Sequence, residues 1–144
     1  MRTRRGRIRP FFGVMGALAT VSTAVLARRW LDVVEVRGGS MAPALLAGDW
    51  LVVERWSYRR RPPRHGEVVV AADPRDPQRE LLKRIARVAG DELWIAGDNG
   101  AASTDSATFG ALPLTALRWR AVARYWPPRR VGLIARTGDG APSA

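Results

Sequence analysis

The sequence predicts a mainly β fold, a small antiparallel sheet folded into a barrel or a sandwich. Short runs rich in β-branched residues recur along the chain, and Gly, Pro or charged turns separate them. Only residues 42–46 and 114–117 suggest helical turns. The strand candidates are residues 33–37, 51–54, 67–71, 80–88, 92–95 and 119–125.

Composition limits the classes of protein to consider. The chain has 144 residues, enough for one domain with an anchor and a tail, and its net charge is +11. It has no cysteine and one histidine, which excludes disulfides, thiolate metal sites and multi-histidine metal sites. We therefore expect no metal and no cofactor, and we interpret His65 as a loop residue.

The N-terminal region has the pattern of a membrane signal. Residues 1–10 carry five arginines, and an uncharged, mostly apolar run of seventeen residues follows at 11–27. As a helix this run would span about 25 Å, so we predict one hydrophobic N-terminal helix, a single-pass anchor in the cell membrane over residues 11–30. The arginines favour a cytoplasmic N-terminus, which would place the body of the protein outside.

Two other interpretations of the apolar run stay open. It could be a signal peptide cleaved after Ala27, or an ordinary core helix. The other end of the chain, residues 135–144, contains Gly, Pro, Ser and Thr and is predicted to be a flexible tail.

A first constellation is Gly38-Gly39-Ser40 at the end of a predicted strand. Two glycines allow a sharp backbone turn that exposes the Ser40 hydroxyl beside free backbone N–H groups, as acyl transfer requires. The alternative is a simple turn.

A second constellation surrounds Lys83, the one lysine among 24 basic residues. On a strand, Lys83 shares a face with Leu81 and Ile85, so its amine would be desolvated and its pKa lowered. A neutral lysine can serve as the general base of a Ser-Lys pair. The alternative is a surface lysine with an extended side chain.

A third constellation is a polar stretch at residues 97–113. Its residues form hydrogen bonds with their own backbone, so the stretch can hold a fixed irregular shape and present a hydroxyl to a neighbour. The alternative is a polar surface loop.

Together these constellations resemble, in order, the bacterial type I signal peptidases, serine endopeptidases with a Ser-Lys dyad. The resemblance covers residues 33–126 and implies a signal-peptidase-like catalytic domain over residues 31–134. The matching boxes are Ser40-Met41-Ala42-Pro43-Ala44-Leu45 with Gly48-Asp49, Gly66-Glu67-Val68-Val69, Lys83-Arg84-Ile85 with Gly90-Asp91, and Gly97-Asp98-Asn99 with Ser103-Thr104-Asp105-Ser106, Gly110 and Pro113.

By this resemblance, Ser40 is the nucleophile, Lys83 the general base, Ser103 the residue that orients the base, and Asp105 a structural acid. It also implies supporting roles for Gly39, Met41, Pro43, Arg84, Asp98 and Asn99. The chain departs from the family at three positions: Gly38 offers no hydroxyl to an oxyanion, Ala107 replaces the arginine that pairs with the acid, and Ala44 replaces a common threonine.

The chain further resembles a compact subgroup, the maturation protease of nickel-type superoxide dismutase. The resemblance rests on the short segment 92–96, on residues 94–99 and on Arg124-Tyr125-Trp126-Pro127. It implies that the substrate is a precursor protein with an N-terminal leader. The close alternative is a general signal peptidase that cleaves secretory signal peptides.

Two non-enzymatic classes also fit the composition, a membrane-anchored β-domain and a basic nucleic-acid-binding module. We expect no nucleic acid partner, because five arginines precede the apolar run and no recognition helix or RNA-binding signature follows. Self-cleavage, as in related repressors, is disfavoured because the N-terminal linker lacks an evident Ala-Gly or Cys-Gly cleavage dipeptide.

Overall fold

The computed structural model describes residues 29–137, and it divides the chain into Met1–Trp30 and Leu31–Ala144. One four-residue helix, α1 (Ser106–Phe109), and short 3₁₀ turns connect the strands. The eight strands are β1 (Leu31–Glu35), β2 (Trp50–Glu54), β3 (Val68–Asp73), β4 (Asp76–Ala89), β5 (Glu92–Ala96), β6 (Leu112–Pro113), β7 (Leu117–Trp126) and β8 (Gly132–Leu133).

All strand pairs are antiparallel, and the sheet follows the order β1-β2-β7-β3-β4-β5-β6, with β8 paired to β7. The predicted mainly β, antiparallel fold is confirmed. The sheet is unclosed, because no pairing within residues 29–137 joins β1 to β6. Of the two predicted forms, barrel or sandwich, the closed barrel is therefore not observed. Strand β6 has only two residues, one of them Pro113, and proline offers no N–H to a further strand.

The core consists of two clusters of buried side chains that meet at β3. Because successive side chains of a strand point to opposite faces, Val68 and Val70 join the first cluster and Val69 and Ala71 the second. Strand β3 is therefore buried on both faces. The first core cluster is completed by Val36, Met41, Leu45, Leu51, Val53 and Ala121, and the second by Leu81, Ile85, Leu93, Ile95 and Leu112.

Strand β4 has two halves with different partners. Its residues up to Arg84 pair with β3, and its residues from Arg84 onward pair with β5. Leu81, Lys83 and Ile85 are the buried residues of the alternating stretch between them. The alternation predicted around Lys83 is thus observed.

The predicted anchor and N-terminal helix lie outside the described residues, apart from residues 29 and 30. Between residues 29 and 137, no helix has the length and apolar character needed to cross a membrane. Of the predicted tail, residues 135–137 are described, and they contact the body of the domain. Ala135 O accepts a hydrogen bond from Arg84 Nη1 at 3.1 Å, and Thr137 N–H donates to Gly66 O at 3.4 Å.

Candidate active site

Ser40 and Lys83 lie in hydrogen-bonding contact, with 2.7 Å between Lys83 Nζ and Ser40 Oγ. Ser40 lies in the loop between β1 and β2, and Lys83 in the middle of β4. Gly38 adopts φ +76°, in the left-handed region that favours glycine, two residues before the serine. The glycine-rich loop therefore turns the Ser40 hydroxyl toward the sheet.

The segment after Ser40 is held by a short helical turn and by the core. Ala42 N–H donates to Gly39 O at 3.2 Å, and Leu45 N–H donates to Met41 O at 2.9 Å. The Met41 side chain is buried in the first core cluster together with Leu45. Gly39 and Met41 thus support the loop through its backbone and its packing, whereas Pro43 is exposed.

Lys83 is 5% exposed, with Leu81 and Ile85 beside it on β4 and Val69 opposite it on β3. This burial lowers the pKa of the Lys83 amine below its ordinary value of 10.5. The charge of Asp105 opposes the shift, and the positive charge of Arg79 reinforces it. The amine therefore loses its proton at a lower pH than an exposed lysine does.

The Gly97–Asn99 loop packs against the backbone of Ser40. Asn99 N–H donates to Ser40 O at 2.9 Å. A Cβ added at Gly97 would lie 2.6 Å from Ser40 O and would clash with Ser103 Oγ. Only glycine allows this close approach. The Ser40 N–H, in contrast, donates to none of residues 29–137, so it is available to an incoming carbonyl oxygen.

Asp105 is buried and organises the loop from within. Its Oδ2 accepts hydrogen bonds from Ser103 Oγ at 2.7 Å and from Gly97 N–H at 3.0 Å. Its Oδ1 accepts from Ala107 N–H at 3.1 Å and so caps helix α1. Burial alone would raise the pKa of Asp105, but these hydrogen bonds and the positive charge of Lys83 hold it below its usual value.

The residues at positions 103 and 107 both donate hydrogen bonds to Asp105. At position 107, where the chain has alanine in place of the arginine of the family pattern, Asp105 accepts a hydrogen bond from the backbone N–H. Ser103 is within the same cluster, but its hydroxyl donates to Asp105. The hydrogen bond of Lys83 goes to Ser40, and none links Lys83 to Ser103 in the described part of the chain.

Arg84 joins the loop to β4 and to neighbouring backbone. Its Nε and Nη2 donate to Asp98 Oδ1 and Oδ2 at 2.8 and 2.7 Å, a bidentate charge-assisted pair. Its Nη1 donates to Gly66 O at 2.8 Å. The predicted supporting residues Arg84, Asp98 and Asn99 therefore act together, because they hold the loop that contacts the Ser40 backbone.

Sequence reasoning missed an ion cluster behind the nucleophile loop. The carboxylate of Asp49 is fully buried and accepts hydrogen bonds from Leu46 N–H at 2.9 Å, from Arg124 Nη1 at 3.1 Å and from Arg130. Arg124 Nη1 also donates to Ala44 O at 3.0 Å. The Gly48-Asp49 pair was visible in the sequence, but nothing local pointed to its distant arginine partners.

Ser40 and Lys83 lie at a cleft of about 710 Å³. Residues 34–41 line one side and residues 78–83 of β4 line the other. In the described part of the chain, β1 pairs only with β2, and β4 up to Lys83 pairs only with β3. Each bordering strand therefore keeps one edge unpaired, as binding of an extended peptide requires.

Across residues 29–137, no group of three or more His, Cys, Asp or Glu side chains is arranged to hold a metal ion.

A buried lysine amine paired with a serine hydroxyl at a cleft is a known form of the nucleophile–base arrangement of hydrolases. Comparison with known proteins places this chain in a family of peptidases. Residues 9–96, which include both side chains, match the family "Signal peptidase, peptidase S26". The chain belongs to this signal peptidase family and is a serine-type peptidase by membership.

Several curated relatives support the assignment. The chain is 36% identical over 127 residues to mitochondrial ATP-independent inner membrane protease subunit 1a of Arabidopsis thaliana, covering 72% of this chain and 76% of that protein. It is 30% identical over 135 residues to mitochondrial inner membrane protease subunit 2 of Danio rerio, covering 78% and 74%. It is 27% identical over 128 residues to subunit 1 of Homo sapiens, covering 75% and 77%.

These findings confirm the predicted resemblance to signal peptidases. They do not support the nickel-type superoxide dismutase subgroup, because the relatives bear the names of mitochondrial inner membrane protease subunits.

Proposed function

We propose that this protein is a membrane-associated endopeptidase that uses a Ser40-Lys83 dyad to remove N-terminal leaders from precursor proteins. The observation that carries the proposal is the 2.7 Å contact between Lys83 Nζ and Ser40 Oγ at the edge of a cleft. Membership of the signal peptidase family supports the reaction class. The burial of Lys83 supports its role as base, because it lowers the pKa of the amine.

The proposed reaction proceeds through an acyl-enzyme. Neutral Lys83 accepts the hydroxyl proton of Ser40 as Oγ attacks the scissile carbonyl, and the proton passes to the leaving amine as the peptide bond breaks. The Lys83 amine then takes a proton from water as the water attacks the ester, and it returns that proton to Ser40 Oγ as the ester bond breaks and the acid product leaves. The Ser40 N–H donates to the developing oxyanion, and Gly38 adds no side-chain donor.

The cleft supports a substrate bound in extended form. Its two bordering strands offer unpaired edges next to the dyad. We expect small side chains before the scissile bond, as signal-type cleavage sites have. A leader-bearing precursor is therefore the proposed substrate class.

The anchor over residues 11–30 would keep the site near the membrane, where leaders are processed. The relatives carry inner membrane protease names, which supports membrane association for this chain too. Removal of the leader of nickel-type superoxide dismutase stays a prediction about the substrate, based on the subgroup resemblance alone.

The test is cleavage by the purified full-length protein of two precursors, one with an Ala-x-Ala secretory signal and one of nickel-type superoxide dismutase. Wild type, Ser40→Ala and Lys83→Arg are compared from about pH 6 to pH 10, with folding checked by circular dichroism. The dyad is supported if only wild type cleaves a precursor and its rate rises as an amine deprotonates. The precursor that is cut identifies the substrate. Folded but inert wild type on both precursors would favour the non-enzymatic β-domain.

A further inference from the structure

We propose that the segment after β8, residues 135–137, is a positioning element of the active site that acts on Ser40 through Arg84. The inference rests on the proposed function. Three consecutive links of hydrogen bonds connect this segment to the nucleophile.

The first link joins the segment to Arg84 of β4 and to Gly66. Ile134 is tethered to the sheet, since its N–H donates to Val122 O at 3.0 Å. Beyond it, Ala135 O accepts from Arg84 Nη1 at 3.1 Å, and Thr137 N–H donates to Gly66 O at 3.4 Å. A Cβ added at Gly66 would clash with Thr137 O, so the segment lies directly against this glycine.

The second link is the Arg84 side chain itself, which is 14% exposed. Its Nη1 is shared between the carbonyl oxygens of Gly66 and Ala135, while Nε and Nη2 bind Asp98. A guanidinium is planar, so fixing one nitrogen on two carbonyls also fixes the plane that faces Asp98. The segment therefore determines how Arg84 meets the carboxylate.

The third link leads from Asp98 to the nucleophile. Asn99 follows Asp98 directly, and its N–H donates to Ser40 O at 2.9 Å. A shift of the loop would move the backbone of Ser40 relative to Lys83, because Lys83 is also held on the other side of β4 by its pairing with Val69 of β3. Because a displacement of about 1 Å can lower a catalytic rate about 100-fold, this chain of contacts is expected to control turnover.

The test compares the full chain with one that ends at Ile134 and one that ends at Thr137. The chain ending at Thr137 keeps all three links and is expected to match wild type. The chain ending at Ile134 is expected to show a kcat lower by roughly 10- to 100-fold. Its KM and the pH midpoint of its rate should stay unchanged, because the cleft and the surroundings of Lys83 are intact.

A point variant tests the same contact without truncation. Gly66→Ala places a methyl group against Thr137 O, whereas Gly90→Ala also lies on a left-handed backbone, with φ +57° against +83° at Gly66, but has no atom within 4 Å. We expect the kcat of Gly66→Ala to fall well below that of Gly90→Ala when each variant is assayed equally far below its own midpoint of thermal unfolding. Equal kcat in the two glycine variants, or wild-type kcat in the chain ending at Ile134, would overturn the inference.

Hydrogen exchange separates this inference from the proposed function. The Asn99 N–H should lose protection in the chain ending at Ile134 and keep it in the chain ending at Thr137. This readout does not depend on cleavage, so it decides the inference even if wild type cuts neither precursor. Unchanged protection of Asn99 would show that the segment does not hold the loop.

Discussion

Lys83 Nζ contacts Ser40 Oγ at 2.7 Å, although 43 positions separate the two residues in sequence. Ser40 is followed by Met41, which packs in the first core cluster, and Lys83 lies between Leu81 and Ile85 of the second. The contact is therefore set by tertiary packing on both sides of β3, and no local turn produces it.

Replacing the amine with an apolar side chain should separate activity from stability. We expect Lys83→Met to lower kcat by about 100-fold or more, because the general base is lost. Its free energy of unfolding at pH 7 should equal or exceed that of wild type, since folding no longer buries a charged amine. Cleavage assays and urea denaturation measure the two effects.

The pH dependence of that stability difference has a definite sign. The pKa of Lys83 is lower in the folded state than the ordinary 10.5, so the unfolded chain binds more protons between the two values. Wild-type stability from this group therefore rises with pH through that window, so its deficit against Lys83→Met should shrink as the pH rises toward about 10.5 and stay constant above it. A deficit that grows with pH would contradict the burial argument.

Arg79 should influence the pKa of the general base, Lys83. It lies on β4 in the same cleft, and its positive charge lowers the pKa of Lys83. Arg79→Gln is expected to shift the midpoint of the pH–rate profile to higher pH. Arg37→Gln, which removes an exposed cleft arginine paired with Glu35, is the matched control and should leave the midpoint in place.

The close contact at Gly97 predicts a steric effect. Gly97→Ala would force Ser103 and the Ser40 carbonyl apart, at a cost of about 1–3 kcal/mol in the free energy of unfolding. Cleavage should fall at least about tenfold, since Ser40 moves. Gly100→Ala, with no atom within 4 Å, should match wild type in thermal unfolding and turnover, and equal behaviour of the two variants would refute the prediction.

The buried carboxylate of Asp49 should be a stability hot spot. Asp49→Asn leaves Arg124 and Arg130 without their anionic partner, and we expect a loss of about 3 kcal/mol. Glu92→Gln, at an exposed position on β5, is the control and should change the free energy of unfolding by less than about 0.5 kcal/mol. Chemical denaturation of both variants gives the comparison.

The sequence was informative wherever a pattern was local. Alternation around Lys83 predicted its buried face on β4, and Gly, Pro and charged turns marked most strand ends. Strand β4 begins at Asp76, earlier than the predicted residue 80, because residues 76–80 are all exposed and show no alternation of buried and exposed side chains. In the structure Asp76 already pairs with Asp73 across a tight hairpin.

The remaining features depend on contacts between distant segments. Arg124 and Arg130 reach Asp49 across 75 and 81 positions, and no local pattern marks either arginine as its partner. The direction of the Ser103 hydroxyl was also beyond the sequence, because Ser103 can bind either Lys83 or Asp105 and only the folded loop decides. The sequence motifs that match the signal peptidase family identified which residues lie together, but not which of their atoms form the hydrogen bonds.

The division of the core into two clusters also limits when the protein can cut. A chain in which only one cluster has formed holds either the serine or the lysine in place, but not both. Newly made or partly opened molecules would therefore be unable to attack neighbouring proteins, even while much of their sheet is intact.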